Sequence, residues 1–331
     1  MTSVSIIVPC LNEERTIALL LEAIERQSYA RDKLSVIIAD GLSTDGTRQR
    51  IADFGRKSNL RISVIDNPER SIPAGLNRAI SEAETDVILR LDAHCVPQPD
   101  YVMRSVEALE QERGWNVGGV WDIRAGAPGW IAESIAVAAA HPLGVGDASY
   151  RIGAKAGAVD TVPFGAFRRS LIEEIGPFDE SLHSNEDYEF NARVREAGGQ
   201  VWLDPAIRSV YYARPSLGAL IRQYARYGYW KWQMLQRYPG TLRWRQLLPP
   251  VFALSLIALP LAALWWRGAA ILWGVEVVSY ALLLVGAAAL KAIEMKKFSY
   301  LVGIPLAIAS MHISWGAAFL WSMIRSVFRQ A

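Results

Sequence analysis

Cysteine is scarce in this chain of 331 residues, which contains two, Cys10 and Cys95. Two cysteines at this separation form neither a disulfide framework nor a zinc motif, and they suit a reduced, cytosolic setting. The formal net charge of +2 gives no electrostatic case for a nucleic-acid partner. The first residues also lack a basic segment followed by a long apolar run. We therefore expect no secretory signal and a first part that stays in the cytoplasm.

Carboxylates are nearly absent from the last part of the chain, where only Glu276 and Glu294 follow Gln246. Three apolar segments lie there, and each reaches the roughly 20 residues that cross a bilayer core of about 30 Å. They cover about residues 247–266, 269–290 and 298–324. Buried core helices of a soluble protein explain segments of this length less well. The sequence therefore predicts about three transmembrane helices.

Positive charges near these segments predict their orientation. Three lysines separate the second and third segments, whereas only Arg267 separates the first two. Because cytoplasmic loops are enriched in lysine and arginine, we expect the lysine-containing turn in the cytoplasm, on the side of the first part of the chain. An odd number of spans would place the C-terminus outside, but Arg325 and Arg329 favour the inside. The number of spans therefore stays open.

The first part of the chain alternates short apolar runs with helical patterns. Strands are predicted at 4–8, 34–39, 61–65, 86–91 and 117–121, and helices at 14–27, 47–56, 73–83 and 186–197. This alternation predicts an α/β fold with a mostly parallel sheet that is covered on both faces. Ligands bind such sheets beyond the carboxyl ends of the strands, so the loops there form the candidate site. Apart from its one strand, the stretch 114–162 is left unassigned.

A basic and aromatic helix is predicted at about 217–235. This composition is typical of a helix that lies at a membrane interface. We therefore expect an α/β domain at 1–215, an interfacial region at 216–246 and transmembrane helices at 247–331. The basic face of this helix could attract anionic lipid and a pyrophosphate head group, but ordinary positive-inside anchoring explains that face at least as well.

The loop after the first predicted strand lacks the Gly-x-Gly-x-x-Gly pattern that lets a backbone approach a dinucleotide pyrophosphate. It contains Pro9, Asn12 and Glu14 instead, which disfavours a nicotinamide or flavin enzyme. The loop after the second strand begins with Asp40, whose carboxylate could accept hydrogen bonds from a base or a ribose. A helix cap and a turn explain most of these two loops, but they do not account for Asp40.

Two further carboxylates are candidates for chemistry. The fourth predicted strand ends in Asp92-Ala93-His94, and alternation along an extended chain points Asp92 and His94 to the same side. There they could hold a divalent ion that is bound to a diphosphate. Asp187 lies at the start of a predicted helix, where an ionised carboxylate is favoured and could act as a general base. Taken alone, Asp187 is better explained as part of an acidic first turn.

Together these motifs resemble the inverting family 2 glycosyltransferases over about residues 3–235. The resemblance rests on the order and spacing of Pro9 with Asn12-Glu13-Glu14, Asp40-Gly41 through Gly46-Thr47, Asn67-Pro68 with Gly75 and Asn77, Asp92-Ala93-His94, and Asn185-Glu186-Asp187. Stretches at 89–94, 159–168, 185–191 and 222–228 are similar to a narrower group, the succinoglycan-type exopolysaccharide transferases. The resemblance implies a nucleotide-sugar-binding α/β domain of the A type.

The resemblance also implies a donor site. Asp40 would contact the nucleobase, which we expect to be the uracil of a UDP-sugar. The other donor-binding residues would be Pro9, Asn12, Glu14 and Arg70. Asp92 would lie beside the ribose or the pyrophosphate and, with His94, would hold Mn²⁺ or Mg²⁺. An imidazole ligand suits Mn²⁺ better than Mg²⁺.

On the acceptor side, the resemblance makes Asp187 the catalytic base. Gln223 and Arg226 resemble a Gln-x-x-Arg-Trp element and would act on the diphosphate and gate the acceptor. Tyr227 replaces the tryptophan of that element, which disfavours a processive enzyme.

We therefore expect inverting transfer of a hexose such as glucose from a UDP-sugar to a hydroxyl of a polyprenyl-diphosphate-linked saccharide, in exopolysaccharide or cell-surface glycan synthesis. The expected location is the bacterial inner membrane, with the α/β domain on the cytoplasmic side, and a homo-oligomer is left open. A processive polysaccharide synthase and a polyprenyl-phosphate sugar transferase are the nearest alternatives. A non-catalytic scaffold is more distant, because Asp40, Asp92 and Asp187 are present together. A transporter is also more distant, because Glu276 and His312, the polar residues of the apolar segments, suit helix–helix contacts better than a transport site.

Overall fold

The computed structural model describes residues 1–330. The chain forms two compact units, and neither is continuous in sequence. The first unit contains Met1–Asp122 and Ser149–Tyr211, and the second contains Ile123–Ala148 and the chain from Tyr212 onward. The stretch that the sequence left unassigned is therefore divided between the two units.

One mixed sheet forms the centre of the first unit. Within residues 1–330 its strands are β1 (Val4–Cys10), β2 (Leu34–Asp40), β3 (Arg61–Asp66), β4 (Val87–Arg90), β5 (Cys95–Pro97), β6 (Asn116–Arg124), β7 (Gly157–Ala158), β8 (Ala166–Arg168) and β9 (Val201–Tyr212). Their spatial order is β3-β2-β1-β4-β8-β6-β9-β5, and β7 pairs with β9. The first four strands of this order pair in parallel. The predicted α/β fold is confirmed, and its sheet becomes mixed where β8 enters beside β4 in the opposite direction.

Helices accompany the sheet in the first unit and form most of the second unit. In chain order they are α1 (Ile17–Glu25), α2 (Thr47–Gly55), α3 (Ile72–Ser81), α4 (Tyr101–Glu110), α5 (Trp130–Ala139), α6 (Pro142–Val145), α7 (Ser149–Ile152), α8 (Leu171–Ile175), α9 (Glu186–Glu196), α10 (Leu217–Arg237), α11 (Leu248–Ala262), α12 (Arg267–Met295) and α13 (Tyr300–Gln330).

Alternation along the strands supplies both faces of the core. Ile6 and Val8 of β1 belong to the cluster that contains the apolar side of α1, whereas Ile7 belongs to the cluster that contains Leu76 of α3. Side chains of successive strand residues point to opposite faces, so one continuously apolar strand fills both layers. Burial on both faces therefore holds β1 between two layers of helices.

The second unit contains three helices that are long and apolar enough to cross a membrane, at Trp244–Ala262, Arg267–Met295 and Tyr300–Phe328. Many of their apolar side chains are exposed, and Leu282, for example, has 67 % of its surface accessible. The first predicted segment extended to residue 266, but its helix ends at Ala262. The exposed rings of Trp265 and Trp266 follow in the turn before α12.

The predicted basic and aromatic helix is α10, and it packs along α13. A Cβ atom on Gly228 would lie 2.0 Å from the carbonyl oxygen of Trp315, so the two backbones are nearly in contact. Further along, Gln233 Nε2 donates to Ser322 Oγ at 2.9 Å and Trp232 Nε1 donates to Ser326 Oγ at 2.9 Å. These contacts fix α10 along the C-terminal half of α13.

The polar residues of the apolar helices make the helix–helix contacts that the sequence predicted. Ser255 of α11 donates to Glu276 Oε1 of α12 at 2.6 Å. The hydroxyl of Tyr280 in α12 lies 3.0 Å from His312 Nδ1 in α13. Buried polar groups that find partners in this way tie apolar helices together.

Candidate active site

The loops after β1 and β2 form one hydrogen-bonded surface at the carboxyl end of the sheet. Asn12 has a φ of 55° and accepts the backbone N–H of Thr44 on its Oδ1 at 2.9 Å. Glu14 Oε2 accepts the N–H of Gly46 at 3.2 Å. A Cβ atom on Gly46 would approach that carboxylate to 2.6 Å, so a larger residue there would displace the Glu14 side chain. The structure therefore brings Asn12 and Glu14 together with the loop that follows Asp40.

Asp40 lies beneath this surface with no accessible area. Its carboxylate accepts the N–H of Ser43 at 3.0 Å, the Ser43 hydroxyl at 2.5 Å and Arg48 Nε at 2.5 Å. Arg48 also pairs with Asp66 at the end of β3. In this arrangement Asp40 holds the loop in place, and a base could reach its carboxylate only after Ser43 or Arg48 had moved.

Pro9 and Arg70 lie on two sides of the same strand ends. A Cβ atom on Gly75 would lie 3.5 Å from Pro9 Cβ and 2.9 Å from Asn67 Nδ2, so α3 begins directly over the ends of β1 and β3. Arg70 lies in the loop between β3 and α3, with an exposed side chain and a φ of 55°. Pro9 thus forms part of the floor of the candidate donor site, and the side chain of Arg70 is accessible at the edge of that site.

The centre of the candidate site is a buried cation, Arg90, at the end of β4. It is 2 % exposed. Its Nη2 lies 3.1 Å from Asp92 Oδ1 and 2.9 Å from Glu186 Oε1, and its Nη1 pairs with Asp187 Oδ1. The planar guanidinium fork thus joins the end of a central strand to the first turn of α9.

Arg90 is the residue that sequence reasoning missed. It ends the otherwise apolar stretch of β4, where all four residues are buried. A buried cation requires carboxylate partners. An arginine in a buried strand was therefore the signal that could have predicted an ion-pair cluster at this place. The sequence did not reveal which carboxylates these were.

The environment of Asp187 suits proton transfer. Burial raises the pKa of Asp187 to about 7, with further increases from Glu186 and Asp92, while the Arg90 guanidinium lowers it. The side chain still has 27 % of its surface accessible. A carboxylate that is reachable and has a pKa near neutrality can accept a proton from a hydroxyl.

The helix that carries Asp187 is fixed by a polar network on its inner face. Asn191 Oδ1 accepts from Asn116 Nδ2 at 2.7 Å, and Asn191 Nδ2 donates to the carbonyl of Val162 at 3.1 Å. Glu189, which is fully buried, forms an ion pair with Arg193. Asn185, with a φ of 69°, turns the chain into α9. The first turn of α9 is therefore held against the sheet.

Asp92 and His94 lie beyond β4, with 22 % and 29 % of their side chains exposed. His94 Nδ1 lies 3.2 Å from Glu13 Oε1. When Nδ1–H donates to that carboxylate, the lone pair that can bind a metal is on Nε2. Across residues 1–330 no three His, Cys, Asp or Glu side chains cluster as a complete metal site. The oxygen and nitrogen donors present fit a divalent ion such as Mn²⁺ whose other ligands come from a diphosphate.

Gln223 and Arg226 lie in α10, which belongs to the second unit. Gln223 is buried, and its Nε2 donates to the hydroxyl of Tyr227 at 2.9 Å. Arg226 is exposed. Tyr227 thus takes part in positioning Gln223.

Comparisons with known proteins agree with the fold and the motifs. The sequence model of the family described as Glycosyl transferase family 2 matches residues 5–176. Over 320 residues the chain is 31 % identical to the succinoglycan biosynthesis protein ExoA of Rhizobium meliloti, covering 96 % of this chain and 94 % of that protein.

Two more distant proteins are also similar. A dolichyl N-acetyl-alpha-D-glucosaminyl phosphate 3-beta-D-2,3-diacetamido-2,3-dideoxy-beta-D-glucuronosyltransferase of Methanococcus voltae is 29 % identical over 271 residues, or 80 % of this chain and 83 % of that protein. The solved structure of mannosyltransferase PcManGT from Pyrobaculum calidifontis, in complex with GDP-Man and Mn²⁺, has a TM-score of 0.62 at 21 % identity. It covers 97 % of this chain and 87 % of that chain. These matches confirm the predicted fold and family resemblance.

Proposed function

Because the chain belongs to glycosyl transferase family 2, we propose that it transfers a hexose from a UDP-sugar to a hydroxyl of a lipid-linked saccharide with inversion at the anomeric carbon. The observation that carries this proposal is the cluster around Arg90. It joins a carboxylate suited to proton transfer, Asp187, to a carboxylate beyond the central strand, Asp92. A single displacement requires a base on the acceptor side and charge stabilisation on the donor side.

Asp187 is the base of this scheme. It removes the proton of the acceptor hydroxyl as the oxygen attacks the anomeric carbon, and the bond to the nucleoside diphosphate breaks. Its raised pKa makes the ionised carboxylate a better proton acceptor than an ordinary aspartate. The ion pair with Arg90 holds the Asp187 carboxylate in place, so the base needs little reorganisation before it accepts a proton.

Asp92 and His94 would hold a divalent ion, and Mn²⁺ would be preferred over Mg²⁺ because one ligand is an imidazole. Such an ion, when bound, neutralises charge on the departing diphosphate. Glu13 orients the ring of His94. In the second unit, exposed Arg226, with Gln223, is the cation that we assign to the diphosphate and to acceptor gating.

The donor pocket is formed by the loops beyond β1, β2 and β3. Asn12 and Glu14 line the nucleoside, Pro9 supports it from below, and Arg70 reaches it from the edge. The role of Asp40 is to shape the base pocket through Ser43 and Arg48, with direct contact to uracil once these two side chains shift. PcManGT was solved with GDP-Man, so a comparison of UDP- and GDP-sugars tests the base.

The acceptor is a saccharide on a polyprenyl diphosphate, and the product enters an exopolysaccharide or a cell-surface glycan. The name of the Methanococcus voltae relative specifies a sugar on a dolichyl phosphate, and the Rhizobium meliloti relative acts in succinoglycan synthesis. Three helices of membrane-spanning length support a site close to lipid. We assign the protein to the bacterial inner membrane, with Asp187 on the cytoplasmic side.

A panel of nucleotide sugars on the detergent-purified protein tests the proposal. Release of nucleoside diphosphate is measured with Mn²⁺, with Mg²⁺ and with EDTA, each with and without a bacterial lipid extract. We expect metal-dependent release from one UDP-sugar that the extract stimulates. If no nucleotide sugar released nucleoside diphosphate and calorimetry detected no donor binding, a non-catalytic scaffold would be favoured.

The same assay separates the rival transferases. Polyprenyl phosphate and a polyprenyl-diphosphate saccharide are compared as acceptors, and the product is analysed by mass spectrometry. We expect one added sugar on the diphosphate-linked saccharide. Addition to the bare phosphate would identify a polyprenyl-phosphate sugar transferase, and long products would identify a processive synthase.

A further inference from the structure

Helix α3 contacts two different parts of the first unit. Gly75 of α3 lies against Pro9 and Asn67, at the ends of β1 and β3. Asn77, two positions later, hydrogen-bonds instead to residues 178–180, which lie between α8 and α9. One helix therefore contacts both the floor of the candidate donor site and the segment that leads to the candidate base. The proposed donor site leaves this position of Asn77 unexplained.

The side-chain amide of Asn77 is bonded to both backbone groups of Phe178, which follows it by 101 positions in sequence. Its Oδ1 accepts the N–H of Phe178 at 2.9 Å, and its Nδ2 donates to the carbonyl oxygen of the same residue at 2.9 Å. Nδ2 also donates to Glu180 Oε1 at 2.8 Å. Both hydrogens of the amide and its oxygen are therefore used. A side chain bonded in this way holds the backbone of Phe178 at a fixed distance from α3.

The segment that contains Phe178 is fixed in turn to α9. Phe178 is 4 % exposed, and its ring stacks on that of Phe190, with the centroids 4.4 Å apart and an angle of 17° between the planes. Arg193 donates to the carbonyl oxygens of Gly176 at 3.1 Å and Pro177 at 2.8 Å. An aromatic stack and these hydrogen bonds join the segment to α9, so a shift of the segment would shift the helix.

The stacked ring lies close to the candidate base along α9. Phe190 follows Asp187 by three positions, so the two side chains are neighbours on the surface of the helix. A displacement of Phe190 would therefore displace Asp187. Reacting atoms must approach to about 3–3.5 Å, and a displacement of about 1 Å can lower a rate by about 10²-fold.

We propose that Asn77 is a positioning residue for Asp187. Through the backbone of Phe178 it joins α9 to α3, and it thereby sets the distance between the base and the floor of the donor site. Asn191 holds α9 against the sheet, whereas Asn77 joins it to the helix that contacts the donor floor. The inference rests on the proposed function. Because Asn77 acts through Phe178 and not on the donor, its contribution is to the chemical step and not to donor binding.

The test compares turnover with donor binding in the full chain. Turnover is measured with UDP-glucose, or with the sugar of the panel that the wild type uses, in the presence of the lipid extract. Calorimetry with UDP and Mn²⁺ gives the affinity and the number of binding sites per chain. Asn77→Ala removes the bonds to Phe178. The matched control is Glu180→Ala, which removes one bond of Asn77 and leaves both bonds to the backbone of Phe178.

We expect Asn77→Ala to lower kcat per binding site by about tenfold or more. The affinity for UDP should change by less than about twofold, because the lost interaction acts on the chemical step. Glu180→Ala should retain wild-type kcat. Wild-type kcat in Asn77→Ala, a loss of UDP affinity that accounts for its defect, or an equal loss of kcat in Glu180→Ala would each overturn the inference. A wild type that uses no sugar of the panel would overturn the proposed function, and the inference with it.

A double-mutant cycle tests the route through Phe178. Phe178→Leu removes the ring that stacks on Phe190 and leaves the backbone groups that Asn77 binds. If Asn77 acts through Phe178, the double variant should lose about as much kcat as the more impaired single variant. Losses that multiply would overturn this route. Phe178→Leu alone should lower kcat and spare UDP binding, so the inference stays testable if Asn77→Ala does not fold.

Discussion

Arg90 and Asp187 are separated by 97 positions in sequence and form an ion pair between Nη1 and Oδ1. The arginine ends a central strand and the aspartate lies in the first turn of α9, so this one pair joins the two halves of the candidate site. Within residues 1–330 Arg90 Nε has no hydrogen-bond partner, so the charged fork is held through its three carboxylates.

Replacing Arg90 should destabilise the protein strongly. Arg90→Gln leaves Asp92, Glu186 and Asp187 without their cation in a buried place, and breaking such a pair costs about 3–5 kcal/mol. Arg90→Lys keeps the charge but loses the fork, so its effect should be smaller. Thermal unfolding in detergent measures both. Arg61→Gln, at an exposed position of β3, is the matched control. A melting temperature for Arg90→Gln equal to that of the control would refute the assigned role.

Removing the base should abolish transfer but spare donor binding. Asp187→Asn keeps the size and loses the proton acceptor, so we expect turnover to fall by about 10²–10⁴-fold. Calorimetric affinity for the donor should change less than threefold. Glu196→Gln, at the exposed end of the same helix, should retain full turnover. If the Asp187→Asn enzyme turned over normally, another group would have to be the base.

Activity should rise with pH. The pKa of Asp187 is raised to about 7, and a base acts in its ionised form, so kcat/KM should increase through pH 7 and level off above it. Donor binding, followed by calorimetry at each pH, should stay nearly constant over the same range. A profile that levels off already near pH 5 would mean that Asp187 titrates like an ordinary aspartate.

Metal-dependent donor binding should need Asp92 and His94. Asp92→Asn should weaken donor affinity in Mn²⁺ by about tenfold or more, and His94→Asp should shift the preference towards Mg²⁺, because a carboxylate replaces an imidazole. Calorimetry with each metal measures the affinities. In EDTA the wild type and both variants should bind alike, and a loss that persisted there would point to a contact with the donor itself.

A methyl group at Gly228 should disturb the packing of α10 on α13. Gly228→Ala places Cβ 2.0 Å from the carbonyl oxygen of Trp315, and overpacking of this kind costs about 1–3 kcal/mol. Gly274→Ala in α12 meets nothing within 4 Å and is the matched control, with the same gain in helix propensity. We expect a lower melting temperature for Gly228→Ala only. Equal melting temperatures would mean that the two helices can separate at this point.

The parts of the fold that sequence predicted are those with local causes. The apolar runs of β1 and β2 and the proline in the first turn of α3 specify their elements within a few residues. Asp187 was singled out by the family resemblance and not by its place at the start of a helix. Arg90 was missed because its partners come from another part of the chain. The burial of Asp40 was also unforeseen, since Arg48 and Ser43 lie in a loop whose shape depends on the neighbouring loop.

Residues 123–148 escaped prediction for a different reason. Alanine and glycine carry little periodic signal, and a helix as short as α5 gives the same pattern in a soluble core and at a membrane. Its contacts with α13 place it in the second unit, and no pattern in the sequence indicated those contacts.

The contacts of α5 and α6 also constrain the order of events during synthesis. Glu133 is 164 positions before Lys297, and Leu143 is 169 positions before His312. One side of this interface therefore leaves the ribosome long before the other side exists. Until α13 has been made, the nascent chain carries α5 without the helix on which it packs. The final position of residues 123–148 therefore depends on a helix that is synthesised last.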